Sequence, residues 1–223
     1  LAHCGTVIGD VAVEGAYVYV LADHSQLCRV PLATGHGVQM LVNAVGAVVE
    51  GFAVSSAAVA YSYRRRGDQP ELRVMEWSGQ SRSFPTSATV EHVVVDATTV
   101  YWIEAGTLLR ASLATGPKTV GPVLDHAVRR LRVDRGVVYV ATDREVLRLS
   151  GRSWVTLANE GADDLVASGA SVYWTSTSRG TVTKLGQHVP FAKAAQPEAL
   201  ALDGASLFVA ADDPLVIEQI VPR

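Results

Sequence analysis

Short runs of Val, Leu, Ala and Ile alternate with brief polar stretches along the whole chain, and one eight-residue shape keeps returning. Val95-Asp96-Ala97-Thr98-Thr99-Val100-Tyr101-Trp102 is matched by Val133-Asp134-Arg135-Gly136-Val137-Val138-Tyr139-Val140. The same shape recurs at Val13 to Val20, Val54 to Tyr61, Ala167 to Trp174 and Leu202 to Val209. Its penultimate residue gives six anchors, Tyr19, Ala60, Tyr101, Tyr139, Tyr173 and Phe208, spaced by about 41, 41, 38, 34 and 35 residues. Each copy predicts a short apolar strand, such as His92 to Val95, then a tight turn and a strand carrying the anchor. A polar loop and a third strand follow, with Arg29, Arg73, Arg110, Arg148 or Lys184 in the third. A fourth stretch closes the unit, as in Val38 to Val42 and Trp154 to Ala158. Runs of Val with aromatics suit a pleated, packed surface, and helical i, i+3, i+4, i+7 spacing is not sustained.

Four short strands in roughly 37 residues, repeated six times, predict an all-β fold: a six-bladed β-propeller of four-stranded antiparallel blades. The copies fill residues 1–223 as one domain. After Phe208 there is room for a third strand over Val216 to Val221 but not a fourth, so the closing strand is expected to be incomplete at the termini. A β-sandwich would not need this self-similarity.

Composition fits that architecture. The chain has 223 residues, 48% hydrophobic and 18% charged, with a formal net charge of −3. A chain this apolar can offset its ordering entropy, which excludes disorder. No global basic field favours nucleic acid. The mean hydropathy of +0.20 is explained if each blade is covered on both faces, because doubly covered strands read as continuous apolar runs. No membrane span is predicted, since the most apolar stretch, Leu41 to Tyr61, is broken by Asn43, Glu50, Gly51, Ser55 and Ser56. Cys4 and Cys28 are read as two idle thiols in preference to a bridge. Leu1-Ala2-His3-Cys4 is not a lipoprotein cleavage site, because His3 is too large, and the initial Leu implies a processed or excerpted chain.

Val172-Tyr173-Trp174-Thr175 with Arg179-Gly180-Thr181-Val182 resembles the YWTD repeat of low-density-lipoprotein-receptor-type six-bladed propellers. Tyr101-Trp102 with Glu104 is a looser match, and Ser176 stands where blade five of that family pattern would carry Asp. Pro197-Glu198-Ala199-Leu200-Ala201-Leu202-Asp203 is similar to the strand entry of NHL propellers. The preference for Arg over Lys resembles proteins of GC-rich bacteria, where similar tandem units occur in secreted chains. The resemblance implies a binding scaffold and carries over no catalytic residue.

Nucleophile elbows, zinc-protease motifs, phosphate loops and calcium loops are missing from the sequence. The six histidines, His3, His24, His36, His92, His126 and His188, are not at metal-ligand spacing. One constellation emerges from the repeat itself. The positions four and three residues before each aligned strand end hold Asp10, Glu50, Glu91, His92, Arg129, Arg130, Asp163, Asp164 and Glu198. In a propeller these begin the innermost strands, so they are expected at one mouth of the fold. Arg64, Arg65 and Arg66 are expected in a loop on the same face, suited to an acidic group. Exposed strand entries also carry charge for solubility alone.

The reading is a non-catalytic scaffold that binds a protein, peptide or carbohydrate on this face, extracytoplasmic and monomeric as a domain, with no resident cofactor. The alternative is a metal-dependent hydrolase or lyase in the mouth. There a divalent cation would be held by Glu50, Glu91, Asp163 and Glu198, hard carboxylate ligands, with His92 as acid or base. Trp77 and Trp154, off the anchor, are candidates for exposed contacts or equally for outer-strand packing, whereas the anchor aromatics belong to the core. Replacing Tyr139 by Ala should therefore cost about 3–5 kcal/mol through cavity formation; an unchanged melting temperature would remove Tyr139 from the core.

Overall fold

The computed structural model of the chain describes residues 4–114, 116, 118–187, 190–194, 196–203, 206–211 and 216–220. The described residues form strands and one turn of 3-10 helix, Thr177–Arg179. They divide into two compact units, 1–121 and 122–223.

In the first unit, β1 (Ile8–Glu14), β2 (Tyr17–Ala22), β3 (Gln26–Pro31) and β4 (Gln39–Asn43) make an up-and-down antiparallel sheet. The second sheet is built on β7 (Ala58–Arg65), followed by β8 (Glu71–Glu76) and β9 (Ser81–Pro85). Both β5 (Ala47–Val48) and β6 (Phe52–Val54) pair with β7, so this sheet has five strands where four were expected. The third sheet comprises β10 (Val90–Val95), β11 (Thr99–Glu104), β12 (Thr107–Ser112) and β13 (Thr119–Val123), whose end crosses the unit boundary.

The second unit repeats the plan. Its sheets are β14 (Val128–Asp134), β15 (Val137–Thr142), β16 (Val146–Ser150) and β17 (Ser153–Ala158), then β18 (Leu165–Ser168), β19 (Ser171–Ser176), β20 (Thr181–Lys184) and β21 (Ala192–Lys193). The last sheet has three strands among the described residues, β22 (Pro197–Asp203), β23 (Ser206–Ala211) and β24 (Val216–Ile220). These six meandering sheets are the blades of a six-bladed β-propeller, the expected fold class. Tight hairpins set the register. Ala105-Gly106 and Arg135-Gly136 have φ of 48° and 72°, and 48° and 77°, the paired positive values of turns that match strand twist.

All six anchors lie on the second strand of a blade. Tyr19, Ala60, Tyr101, Tyr139 and Tyr173 are buried, and Phe208 is half-buried. Opposite the anchor on the third strand stands a cation, in the pairs Tyr19–Arg29, Tyr101–Arg110, Tyr139–Arg148 and Tyr173–Lys184. In the second sheet Ala60 faces Val74, and the aromatic–cation pair is Tyr61–Arg73, one residue along. A one-residue step moves the pair to the other face of the sheet.

Adjacent blades share cores. Tyr19 and Leu21 pack with Phe52, Val59 and Tyr61 between the first and second sheets. Leu72 and Val74 meet Trp102 and Leu109 between the second and third. In the second unit, Tyr139 and Val146 pack with Leu165 and Trp174, and Val166 and Tyr173 with Leu207 and Val209. The expectation of two covered faces fails at the first blade, where Val11 and Val13 of β1 are 50% and 61% exposed. Trp77 is not an exposed contact: it lies 6.0 Å from the Tyr19 ring across two blades and donates Nε1–H to the Ser55 carbonyl at 3.0 Å. Trp154 is likewise half-buried.

Glu104, the family-like acid after Tyr101-Trp102, is buried. Its carboxylate accepts the Ser87 N–H at 2.6 Å, the Ser87 hydroxyl, the Trp102 indole N–H at 3.4 Å and Lys118 at 3.0 Å. Burial works to raise this carboxyl, but the Ser87, Lys118 and Trp102 hydrogen bonds outweigh it and hold it below its ordinary value.

The cysteines correct the idle-thiol reading. Cys4 and Cys28 form a disulfide with Cα atoms 6.0 Å apart, fastening the stretch before β1 to the interior strand β3. Sequence order separates them by 24 residues, and only the meander brings them together. Replacing both by Ser should lower the unfolding free energy by about 3 kcal/mol, the loop-closure entropy of a ring this size. Urea titration checks it; equal midpoints for wild type and variant would show that the bridge does not stabilise the fold.

Candidate functional site

The first strand of a blade carries an irregularity at the same place each time. In β1 the register slips between Ile8 and Asp10, in β10 between Val90 and His92, in β14 between Val128 and Arg130, and in β22 between Pro197 and Ala199. The skipped residues are Gly9, Glu91, Arg129 and Glu198. In the fifth blade Asp163 and Asp164 both meet Thr175: Asp163 N–H donates to the Thr175 carbonyl at 3.0 Å, and Thr175 N–H to the Asp164 carbonyl at 3.0 Å. In the second blade Glu50 lies between β5 and β6 and its N–H donates to the Ser62 hydroxyl at 2.8 Å. A β-bulge leaves one residue out of the ladder and re-aims its side chain. Glu91, Arg129 and Glu198 are therefore bulge residues, which can carry charge outside the ladder, whereas Asp10, His92 and Arg130 are paired within it.

In the first unit, Asp10 and Glu91 are exposed and His92 is half-buried. The Asp10 carboxylate accepts the Val11 N–H at 2.8 Å. Glu50 pairs with Arg64 at 2.6 Å, so the structure joins the acidic entry to the arginine cluster. The cluster itself is not wholly a loop. Arg64 and Arg65 belong to β7, held in extended form by pairing with Val48 and Ala47 of β5, and Arg66 begins the turn. All three are exposed. Glu71, beside this pair, is pulled up by burial but held below its ordinary value by the Ser83 hydroxyl and Arg73.

In the second unit the candidates separate into two roles. Asp164 is 1% exposed, contrary to the expectation of a solvated strand entry. One carboxylate oxygen accepts Arg130 Nε–H at 2.7 Å, the Leu165 N–H at 2.8 Å and Arg132 at 3.4 Å; the other accepts the Leu200 N–H at 2.8 Å. This one side chain ties β14, β18 and β22, three successive blades. Arg130 is accordingly oriented by the fold. Asp163, Arg129 and Glu198 point out to solvent. The Asp163 carboxylate accepts the Thr177 N–H at 2.7 Å, capping the 3-10 turn. The side chains of Arg129, Glu91 and Glu198 have no hydrogen-bond or ion-pair partner among the described residues.

Arg129 and Asp163 line one cavity of about 170 Å³ together with Asp143, Ser176, Ser178 and Arg179. Asp143, Ser178 and Arg179 were not apparent as site residues in the sequence, because they lie on turns after β15 and β19 and share no repeat position, and Ser176, at the end of β19, stood out only for its place in the repeat. Arg179 is positioned by an ion pair with Glu160, which also accepts the Trp174 indole N–H at 2.7 Å. Among the described residues no three His, Cys, Asp or Glu side chains gather around one point suited to a metal ion. Glu50 and Asp163, two of the four acids considered for a cation, are engaged with Arg64 and the Thr177 amide. His3 and His188 lie outside the described residues.

The geometry defines a six-bladed propeller with charged bulges at its strand entries, and comparison with solved structures gives the same fold. The computationally designed Ika8 protein is similar with a TM-score of 0.71 and 16% identity, over 96% of this chain and 71% of that one. A putative 6-phosphogluconolactonase from Bacteroides uniformis gives 0.63 and 17%, over 94% and 78%. BamB from Moraxella catarrhalis gives 0.59 and 15%, over 94% and 68%. No protein-family model and no curated sequence matches the chain. The likeness is one of fold; the YWTD and NHL features remain a resemblance of sequence.

Replacing Asp164 by Ala should cost about 3 kcal/mol, because it strands two arginines and two backbone N–H groups. Glu198→Ala, at an exposed bulge, should stay within about 0.5 kcal/mol of wild type. Chemical denaturation of both variants checks this; equal losses would deny Asp164 its role in joining the blades.

Proposed function

We propose that the chain is a non-catalytic binding propeller whose working surface is the strand-entry face. The observation that carries this reading is the bulge series. The side chains of Glu91, Arg129 and Glu198 are charged, exposed, outside the strand ladder and unpartnered among the described residues, while the anchor tyrosines are buried and offer no stacking surface. Folding does not require charge at these positions, which leaves these side chains available to an external partner. In the first unit the exposed acids Asp10 and Glu91 favour a basic peptide or protein segment, with Arg64, Arg65 and Arg66 as a neighbouring grip for acidic groups. The Cys4–Cys28 bridge supports an extracytoplasmic setting, where disulfides persist. Fold likeness does not choose between binding and catalysis.

The alternative is a metal-dependent hydrolase or lyase, a class brought to mind by the putative 6-phosphogluconolactonase among the structures of the same fold. Calorimetry with hepta-lysine and hepta-glutamate peptides, with and without Glu91→Lys/Glu198→Lys, separates the two. Binding of hepta-lysine that weakens at least about tenfold on charge reversal, with unchanged melting temperature, supports the scaffold. Absence of peptide binding, with a calcium, magnesium or zinc thermal shift of about 2.7 kcal/mol at a hundredfold excess over Kd and EDTA-sensitive lactone hydrolysis, overturns it in favour of the enzyme.

A further inference from the structure

We infer that the cavity between the fourth and fifth blades is a binding site for a free basic α-amino acid. The inference rests on the strand-entry face being the working surface and gives one place on it a ligand class. The cavity is assembled from four separate stretches: Arg129 at the β14 bulge, Asp143 on the turn after β15, Asp163 at the entry to β18, and Ser176, Ser178 and Arg179 around the 3-10 turn. Its floor is fixed by backbone. Gly161 sits so close to the Asp143 turn that an added Cβ would lie 2.2 Å from the Asp143 carbonyl oxygen, so only glycine permits this approach.

The charges of the cavity ask for a particular ligand. Arg179 is neutralised by Glu160, and its remaining N–H groups still face a polar lining. Arg129 and the Asp143 carboxylate have no partner among the described residues, and Asp163 uses one oxygen on the Thr177 amide. One free guanidinium therefore stands against two carboxylates. The complement is a molecule with one carboxylate and two ammonium-type groups, net charge +1. The carboxylate suits the planar fork of Arg129, and the two cations suit Asp143 and Asp163. The Ser176 and Ser178 hydroxyls, 3.3 Å apart, add donors and acceptors. A volume of about 170 Å³ equals the liquid share of about six waters. That is the scale of a single small ligand such as lysine, ornithine or arginine.

Titration of the intact chain with L-lysine and L-arginine, followed by calorimetry and by amide shifts of Asp143, Asp163 and Ser178, tests the site. Sub-millimolar binding is expected, and Arg129→Ala or Asp143→Asn should each weaken it at least about tenfold while melting temperature holds. Norleucine, which lacks the side-chain cation, and cadaverine, which lacks the carboxylate, should bind at least about tenfold more weakly than lysine. Glu91→Lys, in the first unit, should leave lysine binding intact. No saturable binding up to about 10 mM would overturn the site while leaving any hepta-lysine binding to stand. Cadaverine binding as well as lysine, or indifference to Arg129→Ala, would overturn it too. Failure of both lysine and hepta-lysine would remove the binding-scaffold reading as well.

Discussion

A β-sheet with apolar side chains on both faces is insoluble as an isolated object and has to be covered on each side. Here that requirement is met by neighbouring copies of the same unit. Tyr19 packs across to Trp77, Phe84 lies 5.8 Å from Trp102, and Tyr173 joins a core with Leu207 and Val209. Each contact belongs to two blades, so no blade owns a core that it could keep alone. Large aromatics dominate these seams because they bury the most area per residue. The polar links follow the same rule of sharing. The Ser55 hydroxyl reaches the Asp96 carbonyl at 3.1 Å, the Asp134 carboxylate accepts the Gly169 N–H at 2.7 Å, and Asp164 joins three successive first strands.

Chemistry is left to the residues that this packing does not use. A ladder position that faces a core shared by two blades has no place for an unpaired charge. A bulge breaks the alternation for one residue, and that residue can carry charge without entering either face. The contrast between Asp163 and Asp164 shows how narrow the margin is. These neighbours are consecutive in sequence, yet one caps an exposed turn and the other is enclosed by amides and guanidinium groups.

The fold was legible because its signal is repeated. One apolar run with a tight turn is ambiguous, but six in register fix strand order and anchors, and in four blades the basic residue of the third strand lies opposite the anchor. Where the repeat loosened, the reading slipped. Blade two has Ala60 for an aromatic, and neither β5 nor the extended form of Arg64 and Arg65 was visible without its partner strand. The entry charges could be aligned, but alignment does not say which way a side chain points, so Asp164 and Glu198 looked alike. Asp143, Ser178 and Arg179 sit on turns of differing length, and their convergence depends on how two blades pack. The disulfide was missed for the same reason: two cysteines in sequence carry no distance.

The Cys4–Cys28 bridge also changes how the chain would carry force. Residues between the two sulfurs, including all of β1 and β2, form a closed covalent loop. Tension arriving from upstream of Cys4 passes through the sulfur atoms directly into β3 and bypasses the two strands that precede it. β1 has a partly uncovered face and is hydrogen-bonded in its sheet to β2 alone, so it would peel away from its end one bond at a time. The crosslink instead places the load inside the sheet, where β3 is hydrogen-bonded on both edges and must shear against two neighbours at once. A strand held along one edge is thereby kept out of the line of pull.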